Sequence, residues 1–209
     1  MNITNHLKWR YATKKFDSSL YISEAKIKII KESFNLTATS YGLQPVKLLL
    51  IKDKAIQKKL VPYSMDQEQV AQASHVLVFC IETDIDKGYI ETYFERVKAI
   101  RNTPDEILKP FENFLISDFE KLTIPEIEDW STKQAYLAMG NLLTVCAVEG
   151  IDSCPMEGFL PEKYDQLLQL KKRGLKSVLV MPIGYRAKDD MFADLKKVRK
   201  TIAESTLEL

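Results

Sequence analysis

Glycine is scarce in this chain, with seven glycines among 209 residues. Neither G-x-G-x-x-G nor G-x-x-x-x-G-K-[ST] occurs, which excludes the glycine loops that hold phosphates in Rossmann dinucleotide-binding folds and P-loop proteins. The two histidines are His6 and His75, and no His/Cys cluster has the spacing of a zinc site. No G-x-S-x-G elbow supports a serine hydrolase. If the protein is an enzyme, we expect an organic cofactor to supply the difficult chemistry, with side chains holding its phosphate.

Cysteine is also rare, and the three cysteines are Cys80, Cys146 and Cys154. An odd number without Cys-x-x-Cys spacing indicates reduced thiols in a cytoplasmic protein. Cys80 lies in an apolar run and Cys146 in a helical pattern, so both are expected to fill the core, whereas Cys154 lies in a loop. The N-terminus has no apolar run of the signal-peptide type. The longest apolar runs, such as 76–81, have the length of a strand and not of a membrane span.

Charge of one sign is not in excess, since 30 Lys and Arg face 29 Asp and Glu for a net charge of +1. That balance favours neither nucleic acid nor an anionic membrane as a partner. The length and an apolar fraction of 45% suit one domain with a sizeable core. No repeat, linker or low-complexity tract interrupts the chain, so residues 1–209 are predicted to form a single domain.

Hydrophobic periodicity predicts a mixture of helices and strands without strict βαβ alternation, which favours an α+β domain of three layers. Ser23 is a predicted N-cap. The helix at 125–149 is apolar nearly all round and therefore belongs at the centre or at an interface. The other predicted helices follow Ser23 and span 86–102, 105–121 and 160–170, and the predicted strands are 46–51, 75–81 and 178–183.

Basic and aromatic residues alternate near the N-terminus, in the segment Trp9-Arg10-Tyr11-Ala12-Thr13-Lys14-Lys15-Phe16-Asp17. Taken alone, this segment is also compatible with a solvated helix end followed by a strand, because Lys and Arg usually face water. A second polar segment, Thr37-Ala38-Thr39-Ser40-Tyr41-Gly42-Leu43-Gln44-Pro45, precedes a predicted strand. Its hydroxyls and backbone N–H groups either face a polar ligand or belong to an ordinary connector.

A third pattern joins Pro155-Met156-Glu157-Gly158-Phe159 with Lys196-Lys197-Val198-Arg199 near the C-terminus. The glycine beside Glu157 allows a planar ligand to approach the backbone closely. Lys197 and Arg199 are two residues apart, which places both side chains on one face of an extended stretch and suits the binding of one phosphate. The alternative for these basic residues is a charged surface helix.

Together, in this order and at these intervals, the three patterns resemble the nitroreductase family of FMN-dependent NAD(P)H oxidoreductases. The resemblance covers essentially the whole chain and includes Ala73-Ser74-His75-Val76. It implies an α+β three-layer fold with a central, mostly antiparallel sheet flanked by helices. It also implies a homodimer with FMN at the subunit interface and with the C-terminal arms exchanged between subunits.

The resemblance assigns roles to individual residues. It implies that Arg10, Lys197 and Arg199 bind the phosphate and ribityl chain, and that Lys14 lies at the O2/N1 edge of the flavin. Ala12 replaces a common serine, and Gly42 stands where several relatives have asparagine. The other expected FMN contacts are Tyr11 and Ala12 beside Arg10, Thr39, Ser40 and Gly42 from the partner subunit, Asp66 and Gln69 where some relatives have asparagine and lysine, and Met156, Glu157 and Gly158 along the ring.

The implied reaction is a ping-pong transfer of hydride from NADH or NADPH through flavin N5 to a nitroaromatic, quinone or similar acceptor. No side-chain acid or base is expected to be essential, because the flavin performs the chemistry. Two other hypotheses remain open at this point: a flavin-binding module without turnover, and a cofactor-free interaction protein whose basic tail is only a surface.

Overall fold

A four-stranded sheet forms the centre of the computed structural model, which describes residues 2–209. The strands are β1 (Val46–Ile51), β2 (His75–Glu82), β3 (Asp152–Ser153) and β4 (Leu175–Gly184). Their order is β1-β2-β4-β3, and every pairing is antiparallel. The three predicted strands and the mostly antiparallel sheet are confirmed, whereas the two-residue β3 was not predicted.

Helices cover both faces of the sheet. Ser23 caps α2 as predicted, because its hydroxyl accepts a hydrogen bond from the backbone N–H of Lys26. The longest helix begins after a capping box formed by Thr123 and Glu126. The helices are α1 (Ile3–Trp9), α2 (Glu24–Asn35), α3 (Lys54–Leu60), α4 (Gln69–Gln72), α5 (Lys87–Arg101), α6 (Asp105–Phe119), α7 (Ile124–Val148), α8 (Pro161–Leu168) and α9 (Ile202–Ser205).

The side chains of β2 alternate between two cores, as expected for a strand buried on both faces. Leu77 and Phe79 pack in a core with residues of α2 and α7. Val76 and Val78 pack on the opposite face, against residues of α3 and α8. The predicted three-layer arrangement of helix, sheet and helix is therefore confirmed. Over residues 2–209, no helix has both the length and the apolar character needed to cross a membrane.

The chain beyond β4 consists mostly of turns and segments without regular secondary structure. Residues 195–200 have no regular secondary structure and are exposed, so the basic segment around Lys197 and Arg199 is not a surface helix. The short α9 follows it, and no residue of α9 is buried. The apolar side chains of Ile202 and Leu207 are 81% and 83% exposed.

Candidate functional site

The N-terminal basic segment lies along the end of the sheet that contains β3. Arg10 is the C-cap residue of α1. Beyond it, Ala12 forms a parallel bridge with Ser153, and Phe16 forms an antiparallel bridge with Arg186. These pairings fix the course of residues 10–16 against β3 and the end of β4, so the side chains of this segment project from a defined backbone.

Three cations from the two ends of the chain meet beside this segment. The ammonium group of Lys197 donates a hydrogen bond to the carbonyl oxygen of Arg10. Burial and the charge of Arg199 lower the pKa of Arg10. Burial and the charges of Arg10 and Arg199 lower the pKa of Lys197 in the same way. Burial is the larger cause of both shifts, and the remaining part reflects repulsion between like charges.

The same cluster has unused hydrogen-bonding capacity. The Nε atom of Arg10 is buried and has no hydrogen-bond partner among residues 2–209. None of the ion pairs between these residues includes Arg10, Lys197 or Arg199. Buried donors are normally satisfied, and guanidinium groups match phosphate geometry well. The cluster therefore fits a phosphate group of the kind that FMN bears.

Lys14 and Gln69 approach one buried thiol from different parts of the chain. The Nζ atom of Lys14 lies 3.9 Å from the Sγ atom of Cys154, and the Nε2 atom of Gln69 lies 4.0 Å from the same sulfur. Burial raises the pKa of Cys154, although the charge of Lys14 opposes that effect. The thiol is therefore neutral near neutral pH, and the two side chains predicted to share the pyrimidine end of a flavin are neighbours.

The segment containing Met156, Glu157 and Gly158 continues from this thiol. Met156 is buried and bridges Val180 of β4, while the carboxylate of Glu157 accepts a 2.7 Å hydrogen bond from the Tyr136 hydroxyl. Space at Gly158 is tight, since a Cβ atom there would lie 3.1 Å from the Sδ atom of Met65. Within this chain the Met65 side chain lies beside the Gly158 backbone, and the close approach of a planar ligand to that backbone stays a prediction.

The loop at 64–69 is tied to the same glycine. The Nε2 atom of Gln67 donates to the carbonyl oxygen of Gly158 at 3.2 Å, and Gln69 donates to Oε1 of Gln67 at 2.8 Å. Met65 and Asp66 both have positive φ angles, 53° and 54°, which is uncommon for non-glycine residues. Asp66 is exposed at the tip of this loop, and its carboxylate makes no hydrogen bond or ion pair within residues 2–209.

The polar loop at 39–42 packs elsewhere, against α5 and α7. Its Ser40 N–H donates to Oε1 of Gln134 at 2.8 Å, and Thr39 Oγ1 accepts from the N–H of Gln44 at 3.0 Å. Gly42 has a φ angle of 75°, and a Cβ atom there would lie 2.6 Å from the Tyr93 hydroxyl. The left-handed conformation and the nearby Tyr93 hydroxyl both favour a residue without a side chain here. The contacts of this loop within the chain do not include Arg10 or Lys14.

The charged residues that support the N-terminal segment from distant parts of the chain are not indicated by any sequence pattern. Arg186 lies between the rings of Trp9 and Tyr11, with its guanidinium carbon 4.4 Å and 4.5 Å from the two ring centroids. Its Nε atom donates to Oδ1 of Asp152 at 2.7 Å. The Tyr11 hydroxyl donates to Asp190 at 2.8 Å. These pairs join positions far apart in sequence, and no local pattern indicates them.

Comparison with known proteins identifies the family. The model of the nitroreductase family matches residues 7–185, and the chain belongs to that family. It is 32% identical over 195 residues, or 87% of each chain, to YfkO of Bacillus subtilis, which is provisionally named an NAD(P)H nitroreductase. It is 29% identical to the oxygen-insensitive NAD(P)H nitroreductase of Salmonella typhimurium, with 99% of each chain covered.

Solved structures give the same fold. A provisionally named nitroreductase of Exiguobacterium sibiricum, whose crystal structure contains FMN, superposes with a TM-score of 0.85 at 19% identity. The superposition covers 100% of this chain and 98% of the other. The nitroreductase fold expected from the sequence is therefore confirmed over the whole chain.

Proposed function

We propose that this protein is an FMN-dependent NAD(P)H oxidoreductase that passes electrons to nitroaromatic, quinone or similar acceptors. The observation that supports this most directly is the cluster of Arg10, Lys197 and Arg199, in which Lys197 bonds to the Arg10 carbonyl oxygen and Arg10 keeps a buried Nε without a partner. Burial and the charge of Arg199 lower the pKa of both Arg10 and Lys197. Such a cluster fits a single phosphate, and family membership together with the names of the relatives supports FMN as its owner.

In this proposal, residues 1–209 form a single FMN-binding domain. Its residues would contact FMN from the phosphate to the flavin ring. Arg10, Lys197 and Arg199 would bind the phosphate, and Lys14 would lie at the O2/N1 edge of the ring. The neighbouring contacts would come from Tyr11, Ala12, Asp66, Gln69, Met156, Glu157 and Gly158, and from Thr39, Ser40 and Gly42 of a second copy.

When bound, FMN would supply the transfer of hydride and electrons between a reduced nicotinamide and an acceptor. The tasks of the chain are to bind the phosphate, to place a positive charge at Lys14, and to hold the 156–158 backbone against the ring. NAD(P)H and the acceptor would occupy the same space in turn, which makes the order ping-pong. No side-chain acid or base is assigned a proton-transfer role.

A homodimer with exchanged C-terminal arms is part of this proposal. Strand β1 lies at the edge of the sheet, and unpaired strand edges bind other strands readily. A groove of about 740 Å³ beside it is lined by Lys47, Leu48 and Tyr89 among others. The exposed apolar residues after 200 suit such a groove in a second copy. The three buried free thiols support a cytoplasmic location.

Flavin identity and bleaching test the proposal. The purified protein is expected to be yellow and to release FMN, not FAD, on denaturation. Under anaerobic conditions NADH or NADPH should bleach it, and a quinone should restore the colour. A colourless protein that takes up no FMN would favour a cofactor-free interaction protein. A yellow protein that neither nucleotide bleaches would favour a flavin-binding module without turnover.

A further inference from the structure

Three hydrogen-bond donors of the N-terminal segment converge on one oxygen of Asp190. Its Oδ2 atom accepts from the Tyr11 hydroxyl at 2.8 Å, from the Lys14 N–H at 3.0 Å and from the Lys15 N–H at 3.2 Å. The other oxygen, Oδ1, accepts from the N–H of Phe192 at 3.1 Å. Asp190 is 5% exposed, so these protein donors replace water around a buried carboxylate.

This carboxylate also joins the two chain segments that bear the site's cations. The turn leading to Asp190 is fixed to the N-terminal segment, because the N–H of Ala187 donates to the carbonyl oxygen of Lys15 at 2.9 Å. The N–H of Ala193 then donates to the carbonyl oxygen of Asp190 at 3.0 Å. The chain runs on from there to Lys197 and Arg199. Asp190 therefore sets the spacing between the Arg10–Lys14 segment and the C-terminal cations.

Tyr11 is fixed at both ends of its side chain. Its ring packs on the guanidinium group of Arg186, at 4.5 Å from the centroid. Arg186 is held in turn by Asp152, whose Oδ2 atom accepts from the Arg186 backbone N–H at 2.8 Å. The Tyr11 hydroxyl is directed to Asp190. A ring held in this way fixes the backbone between Arg10 and Lys14, and its hydroxyl is already used.

The charge of Asp190 is unfavourable for the ligand that the proposed function places here. A carboxylate near a phosphate site, and near a flavin edge that becomes negative on reduction, opposes both by Coulomb repulsion. Its hydrogen bonds have the opposite effect, because charge-assisted bonds to backbone N–H groups are strong and directional. The two effects predict changes of opposite sign when the charge is removed.

We propose that Asp190 is a positioning residue, which acts through Tyr11 and the Lys14 backbone to hold the Lys14 ammonium at the flavin edge and the phosphate cations in register. The inference rests on the proposed function. It extends that function by giving an anchoring role to a carboxylate that does not itself touch the cofactor.

Asp190→Asn tests the proposal, since it removes the charge with almost no change of shape. The FMN dissociation constant should rise about tenfold, and the midpoint potential of bound FMN should fall by about 30 mV, the two-electron equivalent of a tenfold change. Hydrogen exchange in the apo protein should be faster at the Lys14 and Lys15 amides but unchanged in β2. FMN affinity and potential that are unchanged or increased would mean that anchoring by Asp190 does not outweigh its Coulomb repulsion, and would overturn the proposal.

Asp189→Asn is the matched control. Asp189 is adjacent and mostly exposed, and its carboxylate pairs with the Lys15 ammonium but with no atom of Tyr11 or Lys14. The same charge change there should leave affinity, potential and exchange as in the wild type. If Asp190→Asn does not fold, Tyr11→Phe should give a smaller change in the same direction, and no change in potential or exchange would overturn the proposal. If the wild type binds no FMN, the proposed function is wrong. Hydrogen exchange at the Lys14 and Lys15 amides of the apo protein then tests the anchoring role of Asp190 by itself.

Discussion

Lys14 and Gln69 show how single side chains set the charge around the expected flavin edge. Both reach within 4.0 Å of the Cys154 sulfur, so a lysine at position 69 would place a second ammonium beside the first. Reduction of FMN places negative charge near N1 and O2, and a nearby cation stabilises the reduced form. In this chain, Lys14 would supply most of that stabilisation alone.

Lys14→Met should lower the midpoint potential of bound FMN by about 30–60 mV and slow the oxidation of NAD(P)H, and Gln69→Lys should raise the potential. Two charges at about 4 Å interact by roughly 4 kcal/mol at an effective dielectric of about 20. Solvent reduces this severalfold, and about 1.4–2.8 kcal/mol corresponds to the stated shift for two electrons. Anaerobic redox titration measures it. Lys15→Met is the control, because the Lys15 ammonium pairs with Asp189. If the midpoint potentials of wild type, Lys14→Met and Gln69→Lys agree to within about 10 mV, Lys14 does not lie at the flavin edge.

The lowered pKa of Asp190 predicts that the stability of the fold depends on pH. Burial alone would raise the pKa of Asp190, but hydrogen bonds from Tyr11 and from backbone N–H groups outweigh it and lower the pKa. A lowered native pKa stabilises the fold above the unfolded pKa of about 3.9, and that contribution is lost as the pH falls through the native pKa. Urea unfolding of the apo protein should therefore show Asp190→Asn less stable than wild type at about pH 7, with the difference shrinking below about pH 4. A difference independent of pH would contradict this.

At the scale of elements, periodicity predicted those segments whose stability depends on their own apolar pattern. Strands β1, β2 and β4 and helix α7 are such segments, and their bounds agree with the sequence prediction to within a few residues. By contrast, β3 has two residues and α4 has four. Elements this short form because of pairing with distant segments, and a local pattern cannot predict them.

The residues of the candidate site also fall into two groups: those that a local sequence pattern indicates, and those that only tertiary contacts bring together. The polar patterns around Arg10, Gly158 and Arg199 located the segments that the structure groups with Lys14 and Cys154. The pairing of Tyr11 with Asp190 joins residues 179 positions apart in sequence, and nothing in either neighbourhood indicates it. The loop at 39–42 contacts α5 and α7 within one chain, so its predicted role at a partner's flavin stays a prediction.

The basic C-terminal segment that contains Lys197 and Arg199 leads to a prediction about FMN binding. Arg199→Ala and Lys197→Ala should each weaken FMN binding about tenfold or more, since a charge-assisted contact to phosphate contributes roughly 1.5–3 kcal/mol. Lys200→Ala is the control, because it removes the same charge beside Arg199, whereas the hydrogen bond and the charge interactions with Arg10 come from Lys197 and Arg199. Fluorescence titration of FMN measures the effect. Unchanged affinity in both variants would refute the phosphate assignment.

At the scale of the whole molecule, the exposed apolar surfaces of one chain indicate which regions a homodimer would cover. The middle of α7 exposes Tyr136 and Leu137, 47% and 57% exposed, although most of that helix packs on the sheet. Within residues 2–209, the outer edge of β1 pairs with no other strand, and the apolar tail after residue 200 is exposed. These surfaces are what a two-fold homodimer with exchanged arms would cover.

Truncation after Lys200 tests this assembly and the shared cofactor site together. The truncated chain keeps Arg10, Lys197 and Arg199, so a loss of FMN affinity that follows dissociation and is reversed by raising the protein concentration comes through the partner subunit. If the arm stabilises the dimer and Thr39, Ser40 and Gly42 of one subunit contact FMN bound to the other, dimerisation and FMN binding are coupled, and each must strengthen the other by the same factor.

The truncated protein should dissociate at concentrations where the full chain is dimeric, and it should bind FMN about 5- to 150-fold more weakly, the usual range of such coupling. Raising its concentration should restore both properties together, whereas the affinity of the full chain should not depend on concentration over the same range. Light scattering gives the mass, and FMN fluorescence gives the affinity in the same samples. A truncated monomer with full FMN affinity would show that one chain holds the cofactor alone, because coupling cannot be absent from one equilibrium and present in the other.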